Sequence, residues 1–300
     1  MYGAIIGDIV GSKYEFHNIK TKDFPFVSEG CEYTDDTIMT VAVAKALLRS
    51  REEKTPFKPI LVREMQSLAK KYPYGGYGVM FTSWLRAADP RPYNSFGNGS
   101  AMRVSPCGLI AVTLEEALAL ARASAGVTHN HPEGIKGAEA TAAAVFLAKA
   151  GRSKDEIREY ISAHYYDLSE TLDSIRPTYQ FNETCQETVP QAIIAFLEST
   201  DYEDAIRNAI SIGGDSDTVA AITGAIAWSY YRFNAPYGMQ TDKKAGRIWP
   251  ESCEKTVNEY QIDAMLPEEF VKTIEEFDIV RAHRAGAYAR IGFCSGIPLE

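Results

Sequence analysis

Cysteine is scarce in this chain, and the way it is distributed excludes two common kinds of site. The 300 residues include five cysteines, an odd number, which are widely separated and form no Cys-x-x-Cys pair. This pattern excludes a disulfide framework and a cysteine-based zinc site. It predicts reduced structural thiols in a cytoplasmic protein.

Long apolar segments and excess positive charge are also missing. No apolar run is long enough to cross a bilayer, and the N-terminus has no basic region followed by the apolar core of a secretory signal. The net charge of -9 disfavours nucleic acid or an anionic membrane as a partner. We therefore expect a soluble cytoplasmic protein without a nucleic-acid or membrane partner, and we take a monomer as its default state.

Alternation of apolar and polar residues, the pattern of half-buried strands, is almost absent. Apolar residues instead recur at helical spacing in most segments, which predicts an all-α fold without internal repeats or linkers. Within this fold we expect an amphipathic helix over residues 190–198. We expect a polar loop over residues 235–251.

Glycine is placed at regular intervals in the first helical segment. Gly3, Gly7 and Gly11 are four residues apart, and this spacing does not match the G-x-G-x-x-G pattern of dinucleotide-binding turns. On a helix, the spacing creates one smooth face that another helix backbone can approach closely. We therefore predict a buried helix here, with Asp8 as its one charged member.

Acidic residues concentrate at the starts of two predicted helices. Residues 213–218 read Gly-Gly-Asp-Ser-Asp-Thr before a small-residue helix, and residues 34–37 read Thr-Asp-Asp-Thr before another. One acidic residue is an ordinary helix cap, but two exceed what a helix end needs. If the two starts face each other, the converging carboxylates require metal or strongly raised pKa values, and all-oxygen ligands select Mg²⁺, Mn²⁺ or Ca²⁺. The alternative is two independently capped helices.

Two polar motifs lie between these clusters. Residues 95–103 form a glycine-rich turn that can bind phosphate through backbone N–H groups, although a plain turn explains the pattern equally well. Residues 128–131 contain the pair His129 and His131, but no third soft ligand for zinc is near in the sequence. We expect one histidine to contact a ligand or a helix end, and the other to be solvated.

Five motifs follow one another along the chain: Gly7-Asp8 through Glu15, and residues 34–37, 97–103, 128–129 and 213–218. Together they resemble the ADP-ribosylglycohydrolase family over residues 1–235. The resemblance implies a compact single-domain helical bundle over residues 1–300, with two Mg²⁺ or Mn²⁺ ions at helix N-termini. Residues 236–300 carry no family motif and are expected to be a C-terminal helical extension of the same domain.

The resemblance also implies roles for individual residues. The implied metal ligands are Thr34, Asp35, Asp36, Asp215, Asp217 and Thr218. The implied substrate contacts are Ser95, Phe96, Gly97, Asn98 and Gly99, which hold the diphosphate and distal ribose, and His129 on the adenosine side. Glu15, Asp36 and Asp215 are the candidates for general acid and base, and their assignment stays open.

The implied activity is metal-dependent hydrolysis of the glycosidic bond between ADP-ribose and an acceptor, which is a protein side chain or a small molecule. Cleavage at the ribose anomeric carbon develops positive charge that nearby carboxylates stabilise, and paired metals can orient a water. Two alternatives remain at this point. One is a catalytically silent ADP-ribose-binding module, and the other is a hydrolase of another phosphorylated ribosyl metabolite.

Overall fold

Helices make up nearly all of the regular structure. The computed structural model describes residues 1–233, 239–242, 247–250, 256–258, 260–291, 297 and 299. In chain order the helices are α1 (Tyr2–Ser12), α2 (Asp35–Glu53), α3 (Phe57–Lys71), α4 (Val79–Arg86), α5 (Gly99–Met102), α6 (Ser105–Ile110), α7 (Leu114–Ala125), α8 (Pro132–Lys149), α9 (Lys154–His164), α10 (Leu172–Ile175), α11 (Cys185–Leu197), α12 (Tyr202–Ser211), α13 (Ser216–Phe233) and α14 (Glu268–Ile291). The predicted all-α class is confirmed.

One short hairpin departs from the all-α pattern. Strands β1 (Met239–Asp242) and β2 (Arg247–Pro250) pair antiparallel, with Met239 opposite Pro250. The prediction of a polar loop over residues 235–251 is therefore wrong for these eight residues. The rest of that segment lies outside the described residues. Strands of four residues are too short to show a clear period of two in the sequence.

The glycine face of α1 packs directly against α13. A Cβ atom added to Gly3 would lie 2.3 Å from the carbonyl oxygen of Gly224, and one added to Gly7 would lie 2.1 Å from that of Ala220. At Gly11 the added Cβ would lie 2.5 Å from the Cα of Asp217. The prediction of a smooth helix face is confirmed, and the close approach brings the C-terminal end of α1 to the start of α13.

Helix α11 begins five residues before Pro190, so the predicted start of this helix is wrong. Pro190 lies inside the helix, where its missing N–H removes one hydrogen bond. The preceding turn is held by contacts with a distant loop, because Cys185 N–H donates to the Phe96 carbonyl at 3.0 Å and Asn98 Nδ2 donates to Thr188 Oγ1 at 3.2 Å. Local sequence does not encode such contacts.

Helix α14 contacts the N-terminal half of the chain through ion pairs and aromatic packing. The buried side chain of Arg284 lies 2.5 Å from Glu116 Oε1, and Glu269 pairs with Lys71 at 2.6 Å. The Phe270 ring packs edge-on against Tyr72, with 4.9 Å between ring centroids. Among the described residues, every helix is too short or too polar to cross a lipid bilayer.

Candidate functional site

The two acidic helix starts face each other. Thr218, in the first turn of α13, donates its hydroxyl hydrogen to Asp36 Oδ2 at 3.2 Å, and Asp36 is in the first turn of α2. Both side chains are buried. The sequence could only state this facing arrangement as a condition, and the structure contains it. The hypothesis of two independently capped helices therefore does not hold.

Asp8 explains how the start of α2 is held in place. Its Oδ2 accepts hydrogen bonds from the backbone N–H groups of Thr34 at 2.9 Å and Thr37 at 3.1 Å, and its Oδ1 accepts from the Thr34 hydroxyl at 2.7 Å. The side chain is fully buried, and burial raises the pKa of its carboxyl to about 6. A carboxylate inside the apolar helix α1 therefore joins that helix to the acidic start of α2. The sequence predicts Asp8 as the charged member of a buried helix, but it does not predict this role.

The turn before α13 depends on two glycines and on one asparagine far away in sequence. Gly213 and Gly214 adopt φ values of +70° and +80°, which only glycine adopts readily. Asn18 binds both backbone groups of Gly214: its Nδ2 donates to the carbonyl oxygen at 2.8 Å, and its Oδ1 accepts from the N–H at 2.7 Å. Asn18 Nδ2 also donates to the Glu15 carbonyl at 2.9 Å, so one side chain joins the Glu15 turn to α13.

Three carboxylates form the centre of the site. Oxygens of Glu15, Asp215 and Asp217 all lie within 4.8 Å of one another. Burial, reinforced by the neighbouring charges of Asp217 and Asp8, raises the pKa of the half-buried Glu15 to about 8. The pKa of Asp215 is raised to about 6, chiefly by burial, although its hydrogen bonds oppose the rise.

The remaining acidic residues add to this negative charge. Burial raises the pKa of Asp35, Asp36 and Asp217 well above the usual range, and the neighbouring carboxylates increase the shift. Asp35 is partly exposed, and its backbone N–H donates to the Gly75 carbonyl at 2.6 Å. In the described part of the chain, no lysine or arginine forms an ion pair with these carboxylates.

Two buried oxygen atoms indicate what the cluster can bind. Asp36 Oδ1 and Asp217 Oδ1 are shielded from solvent and have no hydrogen-bond partner among the described residues. Leaving such atoms unpaired is costly, because burial removes their hydration. A hard divalent cation satisfies carboxylate oxygens and cancels their mutual repulsion. The residues present therefore fit a hard divalent cation.

The glycine-rich turn lies beside this cluster. Its residue Asn98 donates from Nδ2 to Asp215 Oδ2 at 2.7 Å, and its backbone N–H donates to the Glu183 carbonyl at 2.7 Å. Ser95 Oγ accepts from the Gly97 N–H at 3.1 Å. The amide of Asn98, expected as a substrate contact, thus orients a carboxylate in this structure.

His129 lies beneath the turn. Its Nε2 is 3.3 Å from the position that a Cβ of Gly99 would occupy, and its Nδ1 is 2.7 Å from Thr128 Oγ1. That hydroxyl also accepts a hydrogen bond from Arg103 at 2.7 Å. Burial, together with the Arg103 charge, lowers the pKa of His129 well below its usual value. The ring is therefore neutral, with Nε2 beside the turn.

The second histidine has a structural role. His131 Nδ1 accepts from the Glu133 N–H at 3.1 Å and caps α8. Its ring also packs on that of Phe96, which is 43% exposed, at 5.2 Å between centroids. The two histidines therefore do not converge on a zinc site. His131 contacts a helix end, as the sequence predicted, but His129 is buried, so the prediction that the other histidine is solvated is wrong.

Comparison with known proteins agrees with this arrangement. The family model described as ADP-ribosylglycohydrolase matches residues 1–235. ADP-ribosylhydrolase ARH3 of Homo sapiens is 30% identical over 331 aligned positions, which cover 84% of this chain and 87% of the relative. ADP-ribosylarginine hydrolase Tri1 of Pseudomonas putida is 26% identical and covers 89% of this chain and 80% of its own length.

A solved structure shares the fold. It is described as an ADP-ribosylglycohydrolase-related protein complex and superposes with a TM-score of 0.62 at 21% identity. The superposition covers 96% of this chain and 95% of the other. At this level of identity the likeness extends to the fold alone.

Proposed function

The chain belongs to the ADP-ribosylglycohydrolase family, and on that premise we propose that it works with divalent metal held between its two acidic helix starts. It is a hydrolase of ADP-ribosyl glycosidic bonds, as the family and its named hydrolase relatives support. Its substrates carry ADP-ribose on an acceptor. Whether that acceptor is a protein side chain or a small molecule is addressed by the experiments below.

Metal dependence is supported by two buried carboxylate oxygen atoms, one on Asp36 and one on Asp217, that have no hydrogen-bond partner among the described residues. They lie on opposite helix starts that are joined by the Thr218 hydroxyl. The proposed ligands of two Mg²⁺ or Mn²⁺ ions are Thr34, Asp35, Asp36, Asp215, Asp217 and Thr218. Metal bound there supplies a water of lowered pKa and neutralises the carboxylates.

The carboxylates supply the acid–base chemistry and stabilise the developing positive charge. Glu15 is half-buried beside Asp215 and Asp217, so its carboxyl is placed to exchange a proton with the leaving group or with water. Asp215 is held in one orientation by Asn98, and it faces Glu15 across the cluster. Either carboxylate can act as the base, and the negative charge of the group stabilises the developing cation at the anomeric carbon.

The glycine-rich turn supplies the proposed ADP-ribose contacts. Gly97 and Gly99 leave the neutral His129 ring uncovered, because a Cβ atom at either position would lie within 3.5 Å of its Nε2, and this open surface suits the diphosphate oxygens. The exposed Phe96 ring offers an apolar face to the ribose. Cytoplasmic location and a monomeric state stay predictions, as does the assignment of residues 236–300 to the same domain.

The test is release of ADP-ribose from ADP-ribosylserine and ADP-ribosylarginine peptides in the presence of Mg²⁺ or Mn²⁺. We expect the protein to cleave at least one of them and Asp215→Ala to lose turnover by at least a hundredfold. The control Glu159→Gln, an exposed carboxylate on α9, should cleave like the wild type. Binding of ADP-ribose without cleavage of either peptide would instead identify a silent binding module.

A further inference from the structure

A groove of about 930 Å³ lies outside the acidic cluster, between α3, α4 and the segment that joins them. Lys70 from α3 and Thr82 and Arg86 from α4 form its walls, and Tyr77 from the joining segment closes one side. The groove is large enough for several side chains of a bound molecule.

The groove adjoins the acidic site at Asp35. Gly76 lines the groove, and a Cβ atom added to it would lie 3.5 Å from Asp35 Oδ1. Gly76 adopts a φ of +89°, and the preceding Gly75 carbonyl accepts from the Asp35 N–H. One short glycine segment therefore separates the groove from the carboxylate. A molecule that reacts at the cluster can extend into the groove across this segment.

The groove and the proposed ADP-ribose contacts meet the acidic cluster at different carboxylates. The glycine-rich turn attaches at Asp215, through Asn98, whereas the groove begins at Asp35. The scissile bond has ADP-ribose on one side and the acceptor on the other. If ADP-ribose occupies the turn, the side at Asp35 is left for the acceptor.

The chemistry of the groove indicates what kind of acceptor fits. The charged side chains that line it are Lys70 and Arg86, and no acidic side chain does. Both are exposed, and neither forms an ion pair with another described residue. Tyr74 lines the groove and is 98% exposed. Pro73 and Leu85 add further apolar surface to its lining. Exposed apolar side chains grouped with cations are typical of a surface that binds a partner.

We propose that the groove between α3 and α4 binds an acidic peptide segment with apolar side chains that flanks the ADP-ribosylated residue of a protein substrate. The inference rests on the proposed function, because it assigns the acceptor side of the same site. Lys70 and Arg86 pair with carboxylates of the segment, and Tyr74 covers its apolar side chains. The protein therefore prefers protein-linked ADP-ribose in an acidic sequence context.

The test compares three substrates that carry the linkage the wild type cleaves, serine or arginine. They are the ADP-ribosylated amino acid alone, a nine-residue peptide with flanking Asp, Glu and Leu, and the same peptide with Lys in place of each acidic residue. We expect kcat/KM to be highest for the acidic peptide, and to approach that of the amino acid at 0.5 M NaCl. The variant Lys70→Glu/Arg86→Glu should lose about tenfold on the acidic peptide, yet cleave the amino acid like the wild type.

Arg63→Glu is the matched control, because it reverses an exposed charge on α3 outside the groove. Equal cleavage of the acidic and basic peptides, or an equal loss in Arg63→Glu, would overturn the subsite while leaving hydrolysis intact. Stronger inhibition by a ten-nucleotide DNA strand than by the unmodified acidic peptide would also overturn it, in favour of a nucleic-acid acceptor. If the wild type cleaves none of the three substrates, the proposed function itself fails.

Discussion

Replacing Gly7 by alanine tests whether the close approach of α1 and α13 builds the site. The added Cβ would lie 2.1 Å from the Ala220 carbonyl oxygen, 2.4 Å from its carbon and 2.8 Å from the nitrogen of Ala221. Ordinary contact begins at 3.4 Å, so the helices must separate by about 1.3 Å. The atoms in the way are helix backbone, and no side-chain rotation relieves the contact.

Separating the two helices destabilises the folded state, because α1 is buried along nearly its whole length. Ten of its eleven residues are buried, so moving it away from α13 disturbs its contacts with other neighbours. We expect Gly7→Ala to lower the free energy of unfolding by about 3 kcal/mol or more, the upper range for overpacking. With an unfolding entropy of about 2.1 cal/mol/K per residue, the Tm of this 300-residue chain should fall by roughly 5 °C or more. Since Asp8 moves with α1, the affinity for Mn²⁺ should fall as well.

The measurement is thermal unfolding by circular dichroism, with Mn²⁺ titration by calorimetry below the Tm. Gly78→Ala is the control, because a Cβ there meets nothing within 4 Å and the backbone is not in the left-handed region. It should change the stability by less than about 1 kcal/mol in either direction. Equal Tm values for the two variants would refute the tight contact between α1 and α13.

Three further perturbations address the groups that hold the site. Asn98→Ala removes the donor to Asp215 and should lower kcat by about 10- to 100-fold; a rise in KM with kcat unchanged would show that Asn98 contacts substrate instead. Asn18→Ala leaves both backbone groups of Gly214 unpaired and should lower the Tm by roughly 3–6 °C in a melting experiment; an unchanged Tm would contradict this. Asp8 and Asp215, with pKa values near 6, hold protons in the folded metal-free protein that the unfolded chain releases above about pH 4. Metal-free stability should therefore fall between pH 4 and 6, by up to about 3 kcal/mol per carboxyl, and a Tm that rises over this range would contradict the burial of these groups.

The sequence was informative wherever a local pattern carried the physical cause. Four-residue glycine spacing predicts a helix face without side chains, and the structure has the α1–α13 contact there. Paired acidic residues before Ile38 and Val219 marked two helix starts, because capping and charge are local properties of a helix end. The order of the motifs then led to the family.

The sequence did not predict the features that depend on contacts between residues far apart in the chain. Asn18 binds Gly214 from 196 positions away, and nothing beside either residue indicates the pairing. Asp8 was visible only as a charge within an apolar helix, and its partners follow from the tertiary fold. The first turn of α11 likewise depends on contacts that Cys185 makes with the glycine-rich turn. Such contacts form only when the chain has folded.

The central claim is that the two acidic helix starts form one ADP-ribose site that depends on divalent metal. The most direct test is isothermal titration of ADP-ribose into the Mg²⁺- or Mn²⁺-loaded protein, repeated after chelation. We predict binding to the loaded protein that disappears when the metal is removed and returns when it is restored. Equal affinity with and without metal, or no binding in either state, would contradict the claim.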